Sequence, residues 1–490
     1  MSWQGLPAAA TDNEELRYLD LAIQGFRVSG GAGEWGILSY LGRINYNYAG
    51  KYFSTVNFRA DGSSRFGANN KYGYFPSFSL GWKLSEETFL KQVDWVSNLM
   101  IRGGWGSLGN QNSLPNYAFA ELVTPNINYN FGNTILRGQA PTGKGNPDLK
   151  WESTEETNLG FDFSGFGGKL TASFDWYNKK TSDILLQVPI LQYSGIEQAP
   201  YVNGGSVLNR GVEIMVGYQS RNPSKFNYAL SGNISFNKNK VTELSNTGSS
   251  IYSQLSFVGL ANVTQVGSPI ASFYGWKTAG IFQTDQEVES HAFQSSGSAP
   301  GDFRYVDLKE DGVINADDQT IIGNPWPKFV YGLNSSFTYG NFELGVQIQG
   351  TYGNDIFMAS KFRLEGANFY NYSKNMWDNR WTGPGTSNSV PRLTTNDQNN
   401  NLRSSDYYVE DGSYLRVRNI QVGYNFPNRF LKLRNLRMYA SVQNAFTISN
   451  YPGFDPELGS NRNNDALYVG IDEFVYPVPR IYTIGISLGL

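Results

Sequence analysis

The 490-residue sequence predicts an all-β fold: a transmembrane antiparallel β-barrel with long loops at one end. Three observations carry that prediction. Apolar and polar residues alternate with period two from end to end. Aromatic residues make up 15% of the chain (31 Tyr, 31 Phe and 11 Trp) beside 54 Gly, a pairing suited to two interfacial girdles and many turns. No run of about 20 apolar residues is present, so helical membrane spans are excluded.

The alternation is specific in places. Even positions are apolar in Arg43–Tyr48, in Leu170–Trp176 (Leu, Ala, Phe, Trp), in Val212–Tyr218 and in Phe342–Ile348. In Tyr414–Phe426, Arg416, Arg418 and Ile420 share one face and Leu415, Val417 and Asn419 the other. The phase then slips near Asn419, as a bulge or a charged start outside the bilayer would produce. At the C-terminus Tyr482, Ile484, Ile486, Leu488 and Leu490 alternate with small or polar residues. Hairpins are expected for 43–48 with 52–59, 156–164 with 169–177, 211–219 with 226–236, 328–338 with 341–350 and 413–426 with 435–444. Turns such as Ala49-Gly50-Lys51 and Tyr339-Gly340-Asn341 join them. Segment spacing gives about 14 strands. The long polar stretches 237–268, 283–327 and 351–412 contrast with those turns, an asymmetry that outer-membrane barrels share. A short helix over 13–23 is the one helical segment expected. Alternation alone also fits a soluble sandwich, whose apolar faces pack on a second sheet.

Little in the sequence supports bond-making chemistry. Net charge is −3, so no basic surface points to nucleic acid. Cysteine is absent, which removes disulfides, thiolate metal sites and a cysteine nucleophile. The single histidine, His291, is read as a solvated loop residue. Gly103-Gly104-Trp105-Gly106 and Gly165-Phe166-Gly167-Gly168 lack the helix and Lys of a phosphate cradle. Glu152, Glu155 and Glu156 open a strand at the expected barrel rim. The aromatic segments 369–372 and 377–381 are suited to stacking on sugars or peptide side chains, or to packing a loop on a partner. An enzyme is therefore not expected.

One segment has the form of a calcium loop. Asp307, Asp311, Asn315 and Asp318 fill positions 1, 5, 9 and 12, with Gly312 at 6, Ile314 at 8 and the Val313 carbonyl as backbone ligand. Lys309 departs from the pattern by placing a positive charge at position 3. The expectation is a structural Ca²⁺, or a turn that keeps the loop shape without the ion; no cofactor is otherwise required.

Several blocks, in order along the chain, resemble the C-terminal half of the SusC/RagA family of TonB-linked outer-membrane transporters. They are 59–67 (RADGSSRFG), 80–85 (LGWKLS), 101–106 (IRGGWG), 145–152 (GNPDLKWE) and 209–213 (NRGVE). They continue with 311–314 (DGVI), 322–324 (IGN), 411–419 (DGSYLRVRN), 443–446 (QNAF), 451–457 (YPGFDPE) and 477–480 (PVPR). The resemblance implies a 22-stranded barrel in the outer membrane of a Gram-negative bacterium, contacting lipid, of which residues 1–490 are the C-terminal part. It implies import of oligomeric nutrients, glycans or peptides, driven by the TonB complex through N-terminal regions, with a SusD-like surface lipoprotein as lid. The opening residues show no secretory signal, and no plug domain is read here, so a portion of a longer protein is expected. The alternatives are a siderophore or cobalamin receptor of the same barrel type and a secreted glycan-binding β protein.

Overall fold

A computed structural model describes residues 33–489 apart from 133, 142, 188–198, 221–225, 245–249, 256, 367–370, 428–434 and 459–465. The helix expected over 13–23 and the terminal Leu490 lie outside the described residues.

Among the described residues thirteen antiparallel strands form one sheet in which each strand pairs with the next in this series. They are β1 (Ile37–Tyr48), β2 (Tyr52–Ser63), β3 (Tyr72–Lys83), β4 (Val96–Asn110), β5 (Glu152–Gly165), β6 (Leu170–Ser182) and β7 (Gly205–Gln219). The series continues with β8 (Phe226–Leu244), β9 (Phe329–Tyr339), β10 (Phe342–Tyr352), β11 (Tyr414–Asn425), β12 (Asn435–Ser449) and β13 (Ile481–Gly489). All five expected hairpins form, as β1–β2, β5–β6, β7–β8, β9–β10 and β11–β12. The β1–β2 turn places both Ala49 (φ 55°) and Gly50 (φ 66°) in the left-handed region. Its twist matches that of the flanking strands.

Register explains why alternation was so regular. Tyr48, Tyr52, Trp82, Ile101, Phe161, Phe174, Ile214, Ile234 and Tyr331 stand opposite one another in sequence, one from each of β1 to β9. A one-residue slip at any pairing would break this row. On β8 the same face runs from Phe226 to Phe236, on β9 from Tyr339 to Phe329, and on β10 from Phe342 to Tyr352. Each stretch advances ten residues, which at about 3.3 Å per residue and a tilt of about 40° gives a band about 25 Å tall. Rings close both edges. Phe226 stacks on Phe337 at the short-turn edge, while Phe236, Phe329 and Tyr352 pack in series at the other, with centroids 5.6 and 5.0 Å apart. This face is open: Ile484 is 82% exposed, Ile44 71% and Tyr482 70%. Among the described residues no second sheet covers it, so the sandwich alternative fails and lipid is the apolar medium the face requires.

The phase slip near Asn419 is a bulge. Register shifts between Val417 and Asn419 against β12, and between Gln347 and Ile348 against β10. Against β10 the extra residue is Arg418; against β12 the extra residue lies on β12, between Gln443 and Phe446. Arg416, Arg418 and Ile420 therefore do not share a face; Ile420 falls on the apolar side, opposite Val346, and Arg416 on the other, opposite Gln349.

The long connections are not plain loops. β8 continues to Leu244, inside the stretch read as polar connection. Beyond it, Ile251–Leu255, Gly259–Thr264, Ser272–Gly275 and Thr320–Gly323 form a four-stranded sheet. Two helices of six residues, α1 (Asp285–Ser290) and α2 (Lys374–Asn379), are capped by Thr284 and Ser373. Neither was expected, because six residues are too few for a 3.6-residue period to register. Phe273, Phe357, Tyr408, Tyr468 and Ile471 build a common core from the β8–β9, β10–β11 and β12–β13 connections. A second loop core joins Phe66, Leu114, Leu149, Trp151 and Leu185 near the mouth of β2 to β6.

Candidate functional site

The inner wall is polar and small-sided because every second residue of each strand faces away from the apolar band. Arg102 on β4 anchors one charge cluster of the wall: its Nε donates to Asp162 Oδ2 at 2.9 Å, and Nη1 and Nη2 donate to the two oxygens of Asp175 at 2.5 Å each. Gly160 leaves room for this bridge, since a Cβ there would stand 2.6 Å from the Phe174 carbonyl oxygen and 3.1 Å from Arg102 Cζ. Across the sheet, Arg437 donates to Glu343 Oε2 at 3.0 and 2.9 Å while Asn425 holds Oε1 at 2.6 Å. Arg43, Asn57 and Ser77 continue the polar lining on β1 to β3. A concavity of about 460 Å³ lies along the wall near Gln219, Ser231, Asn334, Gln347 and Asn419.

Above the wall, the connections from β8, β10 and β12 pack together into a cap. Asp302 is fully buried and receives both Nε and Nη2 of Arg392, at 2.8 and 3.0 Å, and Asn401 Nδ2 at 2.9 Å. The Arg403 guanidinium lies 4.5 Å over the Tyr305 ring and 5.1 Å over Trp276, joining the β10–β11 connection to the β8–β9 connection. Burial pushes the Asp397 carboxyl above its ordinary range against the pull of the Asn401 and Leu402 amides. Burial likewise raises Asp406, which accepts from Thr278 N and Oγ1 at 3.0 and 2.8 Å. Burial takes the Tyr274 hydroxyl up to about 12.

Several of the sequence blocks meet in space. Arg416 of 411–419 is buried against Asp455 and, through Nη1 at 2.6 Å, Glu457 of 451–457; Arg418 also reaches Glu457. The ring of Phe66 from 59–67 packs 4.9 Å from that of Trp151 in 145–152. A Cβ on Gly67 would stand 2.5 Å from the Pro147 carbonyl oxygen, so glycine permits that approach. Nothing in one linear sequence links these blocks.

The 307–318 loop closes on its own backbone. Asp307 accepts from Asp311 N at 3.4 Å and Gly312 N at 2.8 Å, Asp311 from Val313 N at 3.0 Å, and Asn315 from Asp317 N at 2.7 Å. Asp318, fully buried, accepts from Leu308, Lys309 and Asn315 amides at 2.9, 3.2 and 2.9 Å. Burial opposes ionisation of Asp307, but the Gly312, Glu310, Asp311 and Lys309 amides outweigh it and hold its carboxyl below the ordinary range. Among the described residues no group of three or more His, Cys, Asp or Glu is placed to hold a metal ion.

His291 is not a solvated loop residue. It caps α1, sits half-buried with its ring edge-on to Phe282 at 5.3 Å, and its Nε2 lies 2.8 Å from the Tyr305 carbonyl oxygen. A carbonyl only accepts, so Nε2 carries the proton. Glu152 does lie at the rim, receiving Asn110 Nδ2 at 2.9 Å and Leu185 N at 3.2 Å. In the aromatic loops, Trp381 packs into the cap, Trp377 is exposed beneath the Arg380 guanidinium, and residues 369 and 370 lie outside the described residues. Sequence reading passed over one prominent feature, the hairpin Val123–Phe131 with Thr134–Pro141, which exposes Tyr129, Phe131, Ile135 and Leu136. Its alternation was present but interrupted by Pro125, a residue that demotes a strand.

Residues 30–445 match the family model described as TonB dependent receptor-like, beta-barrel. TonB-dependent receptor P3 of Formosa agariphila is 32% identical over 99% of this chain and 49% of its own length. TonB-dependent receptor SusC of Bacteroides thetaiotaomicron is 33% identical over 92% of this chain and 43% of its own. The RagAB peptide importer in its open-open state matches with a TM-score of 0.78 and 25% identity, over 98% of this chain and 50% of that one. The chain thus spans about half the length of the curated relatives it matches. With its outward apolar band, polar wall and loop cap, the chain belongs to the TonB-dependent receptor β-barrel family, SusC/RagA type, of the Gram-negative outer membrane.

Proposed function

We propose that this chain forms barrel wall and extracellular cap in a TonB-dependent importer of oligomeric nutrients, either glycans or peptides. The observation that carries the reading is the pairing of a lipid-facing band with a pre-organised cap built from three connections. Such a cap holds aromatic and amide groups in place before a ligand arrives, which lowers the ordering cost of binding. Resemblance to SusC and to a peptide importer supports the substrate classes. The polar wall supplies an aqueous path once the lumen opens, and the reading contains no catalytic step.

A SusD-like surface lipoprotein is the proposed lid, with the exposed hairpin at 123–141 as part of the surface it covers. The TonB complex acts through other regions of the full-length receptor. The 307–318 loop is proposed as a structural clasp in the cap, with Asp307, Asp311, Val313 carbonyl, Asn315 and Asp318 as the oxygens a Ca²⁺ would take. The test is uptake of labelled oligosaccharides and oligopeptides by cells carrying the full-length receptor. Uptake of one class that stops when the proton-motive force is collapsed supports the reading; no energised uptake of either refutes it.

A further inference from the structure

On the outward face, the apolar stripes of β6, β7 and β8 end toward the loop cap at Trp176, Val212 and Phe236, which stand in register. One alternation further out, Arg210 lies directly opposite Lys238. Lys328 immediately precedes Phe329, whose ring packs on Phe236. These three cations and the three apolar residues line a single recess of about 310 Å³, and among the described residues no carboxylate lines it. All three cations are exposed. Arg210 Nε donates to the neutral Asn178 Oδ1 at 2.6 Å, which orients the guanidinium without cancelling its charge. Half-buried Asp355, whose carboxyl feels the Lys328 charge, accepts from the Asn324 amide at 2.8 Å.

Like charges directly opposed across a strand pair repel, and here no protein anion sits between them. The position is equally particular. Ten residues of apolar face separate Phe226 at one edge from Phe236 at the other, so Lys238 projects just beyond the hydrocarbon, at headgroup depth. Aromatic rings below and cations above match an amphiphile whose chains lie on protein and whose phosphate meets Lys and Arg.

We propose that Arg210, Lys238 and Lys328 bind the phosphorylated headgroup of an outer-leaflet lipid, with its acyl chains along Trp176, Val212 and Phe236. The inference rests on the outward band and stands whatever the imported nutrient is. Each cation contributes roughly fivefold to headgroup affinity, so removing all three weakens binding by about a hundredfold.

The test is native mass spectrometry of the full-length receptor in detergent, titrated with diphosphoryl lipid A and with its dephosphorylated form. The wild type and a K309Q control in the cap are expected to bind the phosphorylated lipid alike. R210Q/K238Q/K328Q is expected to lose about a hundredfold, with its folded state verified by heat-modifiable gel mobility. Should the triple variant not fold, K238Q and K328Q singly should each lose about fivefold. Unchanged binding by these variants, equal binding of dephosphorylated lipid, or full displacement by millimolar inorganic phosphate would overturn the proposal.

Discussion

Replacing Leu333 with Arg tests the outward band where it is deepest. Leu333 lies four residues from Phe329 and six from Tyr339, between Gly232 on β8 and Ile348 on β10. At about 3.3 Å per residue and a tilt of about 40°, it stands about 10 Å from one girdle and about 15 Å from the other. A charge near the midplane of a lipid-facing strand costs about 2–4 kcal/mol. The folded-to-unfolded ratio should therefore fall roughly 30- to 800-fold. The neighbouring Asn334 faces the concavity on the inner wall, opposite Ser231 and Gln347. Asn334→Arg there should change stability by no more than about 0.5 kcal/mol. Guanidinium unfolding of the full-length receptor in phospholipid vesicles, followed by Trp fluorescence, reads both. Equal costs at the two positions, or a larger cost at Asn334, would refute the assignment of faces.

Arg416→Ala should destabilise the cap by about 3–5 kcal/mol, because it strands the buried Asp455 beside Glu457. Hydrogen exchange across the β12–β13 connection checks this, and unchanged protection there would contradict it. In the β3–β4 connection, Lys51, Tyr52 and Trp82 hold the Glu87 carboxyl down to about 2. A depressed carboxylate contributes stability above its unfolded value of about 4.3 and loses it as pH falls through the folded value. The difference between wild type and Glu87→Gln should therefore be constant above pH ~5 and shrink from pH ~4.3 toward ~2; a flat difference across that window would count against the Lys51, Tyr52 and Trp82 contacts to Glu87. Since amides already occupy the 307–318 oxygens, EGTA should move the melting temperature by about 1 °C or less. A drop of several degrees reversed by Ca²⁺ would make the ion part of the loop.

Much of the barrel was legible because period two is a local property: each strand announces its own faces, and even the bulge at Arg418 appeared as a slipped phase. The cap was not, because its links are long-range. Ser253 Oγ donates to the Leu467 carbonyl oxygen at 2.8 Å across 214 residues of chain, and Arg416 finds Asp455 across 39. His291 was misread for the same reason, since Tyr305 and Phe282 approach it only in the fold. Lys238 falls in the stretch 237–268 read as polar connection; its opposition to Arg210 becomes visible only once the β7–β8 register is known.

Spin labels placed one at a time from Tyr331 to Phe337 in vesicle-embedded receptor would test the central claim most directly. Collision with oxygen, which dissolves in lipid, should peak at 331, 333, 335 and 337. Collision with a water-soluble nickel chelate should peak at 332, 334 and 336. Nickel access equal on both faces, or both probes excluded from the odd positions, would mean that the apolar face does not meet a bilayer.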